Sequence, residues 1–208
     1  MKNARVIALL VLIVAGVFVI WGGYEYVNTL RNESIGWETK LSAQYLSNQN
    51  YLSAYISGFY EQLGVANLKS EKMDEILIDA VKGRYDDEGF SSKGAFFSVI
   101  VEAYPNIAGL NIYDKIADYV AGGREGYRGI QDKLMDMLRA YDKWRQEGYI
   151  RGWIISTIIG VPTERLVAKI GDTTMTSSDA RNKMYQIVLT PKAVEVYKNG
   201  RMEPLSVK

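Results

Sequence analysis

The chain has 208 residues, with 25 Lys and Arg against 24 Asp and Glu for a formal net charge of +1, so the basic footprint of a nucleic-acid binder is missing and no nucleic-acid partner is expected. It contains no cysteine, which excludes a disulfide framework, thiol chemistry and lipid attachment at a lipobox. It contains no histidine either, which removes the commonest general base together with the commonest metal ligand. The chain therefore reads as a non-enzyme, with no catalytic, cofactor or metal residues expected.

Residues 6–21 carry no charge, no proline and no amide. With Gly22 and Gly23 the apolar run reaches about 18 residues, near the lower end of what a hydrocarbon core of roughly 30 Å requires. Val6, Leu10, Ile13, Val17, Ile20 and Trp21 mark out this expected membrane-spanning helix, with the lipid bilayer as its partner. Trp21, Tyr24 and Tyr26 supply an aromatic belt at headgroup level. Lys2, Arg5 and the terminal amine precede the run, whereas the fifteen residues after it offer Arg31 alone. The positive-inside bias then leaves the N-terminus in the cytoplasm and residues 24–208 outside it, as in a single-pass protein of a cell inner membrane. A cleaved signal peptide shares the basic leader and apolar core. Val19, Ile20 and Trp21 are bulky, however, and offer no small-x-small cleavage site, so an uncleaved signal-anchor is expected. Three regions result: 1–23 as leader and anchor, 24–170 as a helical bundle, and 171–208 as a polar linker and C-terminal β unit.

From Tyr24 to about Gly64 the spacing predicts one long helix, with Leu30, Trp37, Leu41, Tyr45, Leu52, Ile56, Phe59 and Leu63 along one face. Ser34 and Asn48 interrupt that face, and Gly36 and Gly58 each cost up to about 1 kcal/mol relative to alanine. This face packs either inside a bundle or on a second copy of the chain. A second helix is expected after Ser70, with Glu71, Asp74 and Glu75 in its first turn, ending near Arg84. Asp86-Asp87-Glu88-Gly89 lacks the alternating ligands and central glycine of a calcium loop and reads as a solvated turn. Ser91 or Ser92 then caps a short helix with Phe96, Phe97, Ile100, Val101 and Tyr104 as core, closed by Pro105. The strongest periodicity runs from Asn111 to about Glu147. There Ile112, Ile116, Tyr119, Gly123, Tyr127, Ile130, Leu134, Met137, Tyr141 and Trp144 recur by threes and fours, a seam for a long partner helix. Gly122, Gly123, Gly126 and Gly129 lie inside it, so either a partner backbone approaches closely there or the helix breaks at Gly122-Gly123.

The run Val101-Glu102-Ala103-Tyr104-Pro105-Asn106-Ile107-Ala108, followed by a helix bearing Arg124, Glu125, Arg128, Ile130 and Tyr141-Asp142, resembles the LemA family. Leu30-Arg31-Asn32-Glu33 and Trp37, shortly after an N-terminal apolar helix, are similar to that family's opening. The resemblance covers about residues 5–165, and Glu102, Ala103, Tyr104 and Pro105 are its most specific part. It implies a membrane-anchored, elongated antiparallel helical bundle. The chain departs from the family at Ser47–Tyr55, where paired arginines and an Asp-Leu-Ile-Pro-Asn-Leu pattern are usual; that suits a divergent copy, such as a phage-encoded one. Glu102 is expected to pair with Arg124 or Arg128 and tie the short helix to the long one, rather than to act as an acid or a ligand.

Trp153 to Val161 is a second apolar run, covering about 14 Å and so too short to cross a bilayer. It is expected to be buried against the bundle end, to touch the membrane surface or to form an oligomer contact. Residues 171–180 read as a polar linker. Tyr185–Thr190, Ala193–Tyr197 and Arg201–Val207, with Asn199-Gly200 as a hairpin turn, read as strands of a β-hairpin or three-stranded meander. The fold class is thus mainly α: an N-terminal transmembrane helix, an elongated antiparallel bundle and a small C-terminal β unit. The expected function is a membrane-anchored scaffold or assembly protein of the bacterial envelope, working as a homo-oligomer or with an envelope protein partner. The alternative is a membrane-tethered sensor or accessory subunit that binds a ligand and acts on a separate envelope enzyme.

Overall fold

The computed structural model of the protein describes residues 2–63, 71–81, 98, 100 and 113–186. In chain order the elements are α1 (Lys2–Leu63), α2 (Glu71–Val81), α3 (Tyr113–Gln146), α4 (Tyr149–Trp153), a π-helical segment (Ile154–Ile159), β1 (Val167–Ile170), β2 (Thr173–Thr176) and α5 (Ser177–Met184). The protein is mainly helical, with a long apolar N-terminal helix and a small two-stranded antiparallel sheet. The expected short helix after Ser92, the Glu102–Pro105 segment and the expected strands between 187 and 207 lie outside the described residues.

Within α1 an 18-residue window has a mean hydropathy of 1.9, and none of it is buried. Leu10, Ile13, Val17, Ile20 and Trp21 are each more than half exposed. This helix is long and apolar enough to cross a membrane, a test that a signal sequence near an N-terminus also passes.

The chain divides into two compact units, and α1 and α3 contribute to both. Unit 2, formed by 45–135 and 186–208, is built on the second half of α1, on α2 and on the first part of α3. Its core joins Tyr55, Phe59 and Tyr60 of α1 to Met73, Ile76, Leu77, Ala80 and Val81 of α2, and to Ile116, Val120 and Tyr127 of α3, with Ile100. Glu71 and Asp74 in the first turn of α2 suit the positive end of its dipole. The Tyr60 hydroxyl donates to Asp74 Oδ1 at 2.6 Å, and Arg124 Nε donates to the Ala80 carbonyl at 2.9 Å. Both ends of α2 are thereby fixed to the long helices, the second through a carbonyl that lies where a helix end runs out of internal donors.

Unit 1, formed by 1–44 and 136–185, buries Leu30 and Leu41 of α1 with Leu138, Tyr141 and Trp144 of α3 and with Ile154, Ile155, Leu166, Ala168, Ala180 and Met184. Lys143 and Arg145 sit in the last turn of α3, where positive charge suits the dipole. Gly148, at φ 74°, then turns the chain in a conformation that costs other residues strain. Residues 171–180, read from composition as a linker, are instead ordered structure. Gly171 at φ 54° and Asp172 form a two-residue turn that pairs Ala168 with Met175 and Ile170 with Thr173, and the chain then enters α5. Threonine-rich sequence mimics a linker because its polarity is high; β-branching at Thr173, Thr174 and Thr176 is what favours the strand.

Candidate functional site

In unit 2 the seam is a set of tyrosines from α1 laid into glycines of α3. A methyl group added at Gly123 would fall inside the Tyr55 ring, and one at Gly126 would strike the Tyr51 hydroxyl. The Tyr51 hydroxyl donates to the Gly123 carbonyl at 3.1 Å, and Tyr119 returns a bond to the Tyr55 carbonyl at 2.8 Å. Tyr119 stacks on Tyr55 with ring centroids 5.1 Å apart and meets Phe59 edge-on at 5.7 Å. Of the two expectations for the glycine notch, neither holds as stated: α3 runs unbroken through Gly122-Gly123, and side chains rather than a backbone fill the notch. Asn48, which interrupts the apolar pattern, is buried and donates to the Ile130 carbonyl at 3.3 Å. Among the expected seam residues here, Ile116, Gly123, Tyr127 and Leu134 are buried and Ile130 is half-buried.

In unit 1 the seam centres on Glu38, which is fully buried. Its Oε1 accepts from the Tyr141 hydroxyl at 3.0 Å and from the Thr163 backbone N–H at 2.7 Å, while Oε2 accepts from the Thr163 hydroxyl. One helical turn on, Ser42 Oγ donates to the Glu38 carbonyl and accepts the Val167 N–H at 2.9 Å. Burial, and then the adjacent Glu38 carboxylate, pushes the Tyr141 hydroxyl well above the usual phenol range. Tyr141 is thus a fixed donor at any physiological pH. Trp144, 9% exposed, donates its indole N–H to Glu33 at 2.7 Å, and Arg151 lies over the Trp144 ring, 5.2 Å from its centroid, while pairing with Glu33 at 3.3 Å. Trp37 is half-buried, 6.5 Å from the Tyr141 ring centre.

A second polar cluster joins α3 to α5. Arg181 donates to both oxygens of Asp142, Tyr185 donates to Oδ2, and Arg145 lies 3.5 Å away. Burial alone would raise the Asp142 carboxyl; the bonds from Arg181 and Tyr185 and the charges of Arg181 and Arg145 outweigh it and hold the group below its usual range. The two clusters have one chemical character. Each carboxylate oxygen accepts from a distant part of the chain, which makes Glu38 and Asp142 fasteners between segments. Among the described residues no group of three carboxylates could hold a metal.

Of the expected anchor residues, Leu10, Ile13, Val17, Ile20 and Trp21 are exposed along α1. The apolar run 153–161 divides: Ile154, Ile155 and Val161 are buried, whereas Trp153 is 56% and Ile158 53% exposed. Sequence reading missed Glu38 altogether. The available signal was a carboxylate at the position of α1 one turn after Ser34 and three before Leu41, on the face that the apolar spacing turns inward. It also missed a cavity of about 410 Å³ between α1 and the π-helical segment, walled by Val27, Ile35, Ile158 and Ile159, with Arg31 and Arg165 at its edge.

Compared with protein-family models, with curated proteins and with solved structures, the chain matches none.

Proposed function

We propose that this chain is a single-pass, membrane-anchored, non-enzymatic scaffold whose helical part self-associates or holds partner proteins beside the bilayer. The observation that carries the reading is the apolar stretch of α1 from Ile7 to Trp21, whose described large side chains are all more than half exposed. Roughly 25 cal/mol per Å² of apolar surface drives such a stretch into lipid. The helical part supports the scaffold half, because the buried Glu38 carboxylate of α1 fastens a segment as distant in the chain as Thr163. The anchor stays uncleaved in a bacterial inner membrane in this reading, supported by the bulky Val19, Ile20 and Trp21, and Lys2 and Arg5 favour residues 24–208 outside the cytoplasm. A bundle of the LemA kind fits the pairing of α1 with α3 in each unit.

The cavity at Arg31 and Arg165 favours a second reading, a tethered sensor or accessory subunit that binds a ligand and acts on a separate envelope enzyme. Light scattering on the full-length chain in detergent separates the two. The scaffold is expected as a defined oligomer or with a stoichiometric copurifying protein; a strictly monomeric particle that carries nothing would end that reading.

A further inference from the structure

The cavity bordered by Arg31 and Arg165 carries an inference of its own, which rests on the reading of α1 as membrane-spanning. Val27 lies four residues beyond Gly23, about 6 Å along a helix. That is the depth of the headgroup layer, which adds roughly 5 to 7 Å on each side of the hydrocarbon core. The wall formed by Val27, Ile35, Ile158 and Ile159 is apolar. The two hydroxyls beside it are already committed, Ser34 to the Arg31 carbonyl and Thr163 to Glu38. The guanidinium groups of Arg31 and Arg165 are both exposed and, among the described residues, neither forms an ion pair.

Two exposed arginines beside an apolar slot match a molecule with a net-negative phosphate headgroup at one end and hydrocarbon at the other, whereas the quaternary ammonium of a zwitterionic lipid would set a third cation beside them. The neighbouring surface has the same polarity. Tyr149, Ile150, Trp153 and Ile158 are 96%, 72%, 56% and 53% exposed, and tyrosine and tryptophan favour the membrane interface. We propose that the α4 and π-helical segment lies on the bilayer surface and that the cavity binds one anionic phospholipid. Its phosphate sits between Arg31 and Arg165, and the upper part of an acyl chain runs back toward the bilayer against Val27, Ile158 and Ile159.

The test uses the full-length chain in a mild detergent, offered dioleoyl phosphatidylglycerol, dioleoyl phosphatidylcholine or inorganic phosphate. Native mass spectrometry reads bound lipid and thermal melting reads stabilisation. Phosphatidylglycerol is expected as a one-to-one adduct that raises Tm, with phosphatidylcholine retained far less and phosphate without effect. Arg31→Gln with Arg165→Gln should lower the preference for phosphatidylglycerol by about tenfold per arginine lost. Both arginines are exposed, so the variant should keep the fold, which far-ultraviolet circular dichroism checks. Equal retention of both lipids, or an undiminished preference in the variant, would overturn the proposal. A phosphate-induced shift as large as that of the lipid would assign the site to free phosphate and overturn it equally. Carbonate extraction of the source membranes tests the anchor separately: a chain that stays in the pellet but shows no headgroup preference refutes the lipid site alone, and a chain released to the supernatant refutes the anchor.

Discussion

Tyr55 and Tyr141 are both buried, at 6% and 0% exposure, yet their hydroxyls meet opposite surroundings. Tyr141 donates to a buried carboxylate, whereas among the described residues the Tyr55 hydroxyl has no hydrogen-bond partner. A buried hydroxyl without a partner costs roughly 1 to 3 kcal/mol, and a bond to a charged group contributes a similar amount. Tyr55→Phe should therefore leave Tm unchanged or raise it, by up to about 1 kcal/mol of stability, while Tyr141→Phe should lose about 1.5 to 3 kcal/mol. Equal losses in chemical denaturation would contradict the assignment. Glu38 itself tolerates one exchange: in Glu38→Gln the amide oxygen can still accept from Tyr141 and the Thr163 N–H, and the amide N–H can donate to the rotatable Thr163 hydroxyl. Glu38→Leu leaves all three donors stranded and should be far more damaging. Asp142 behaves differently because its charge matters. Its folded pKa lies below the unfolded value of about 4, so its contribution is complete above that pH and is lost as pH falls through the folded value. The Tm gap between the protein and Asp142→Asn should be constant from pH 8 to about pH 5 and close on further acidification. A gap that persists at pH 2 would mean that packing, not charge, holds α5 on α3.

At the scale of the helices, four glycines in α3 divide into two kinds. An added methyl at Gly122 or Gly129 meets nothing within 4 Å, whereas at Gly123 and Gly126 it meets a tyrosine ring. Gly122→Ala should stabilise by about 0.5 to 1 kcal/mol through helix propensity. Gly123→Ala, one residue on, should destabilise by about 1 to 3 kcal/mol through overpacking. Thermal melting of the two variants gives shifts of opposite sign, and shifts of the same sign would remove the tyrosine-into-glycine packing. The contrast marks what was legible in the sequence. That α1, α2 and α3 are helices through the described residues followed from apolar spacing, since three-four periodicity reports an inward face directly. That a tyrosine ring would fill the notch was not legible, because spacing within one helix carries no information on which side chain of the other arrives opposite. Ser34 and Asn48 looked like interruptions for the same reason: their partners are backbone carbonyls, which no residue code reveals. The hairpin at 167–176 was hidden by threonine polarity, although Ile170-Gly171-Asp172-Thr173 carries the two-residue turn that favours it.

For the molecule as a whole, the proposed membrane-spanning role of α1 implies that the two ends of that helix lie on opposite sides of a bilayer. The chain has no cysteine, so a single engineered thiol is the only one present. Asn3→Cys places it ahead of the apolar run, and Ala140→Cys places it on an exposed position of α3, where it should not disturb the Tyr141 cluster. Lys2, Arg5 and the terminal amine against Arg31 bias the N-terminus toward the cytoplasm. A maleimide that cannot cross membranes, applied to intact spheroplasts, should then label Ala140→Cys fully and Asn3→Cys only after lysis. The reverse pattern would invert the topology while leaving the anchor intact, since orientation depends on a few charges and insertion on the whole apolar run. Labelling of both before lysis would mean that no bilayer separates them, and would remove the membrane-spanning helix itself. Moving the charges sharpens the comparison: Lys2→Glu with Arg5→Glu, and two arginines placed at Asn28 and Thr29, should shift a measurable fraction of Ala140→Cys out of reach of the reagent. Because cationic residues close to the run dominate that choice, the fraction should respond to positions 28 and 29 and ignore equivalent changes near residue 133.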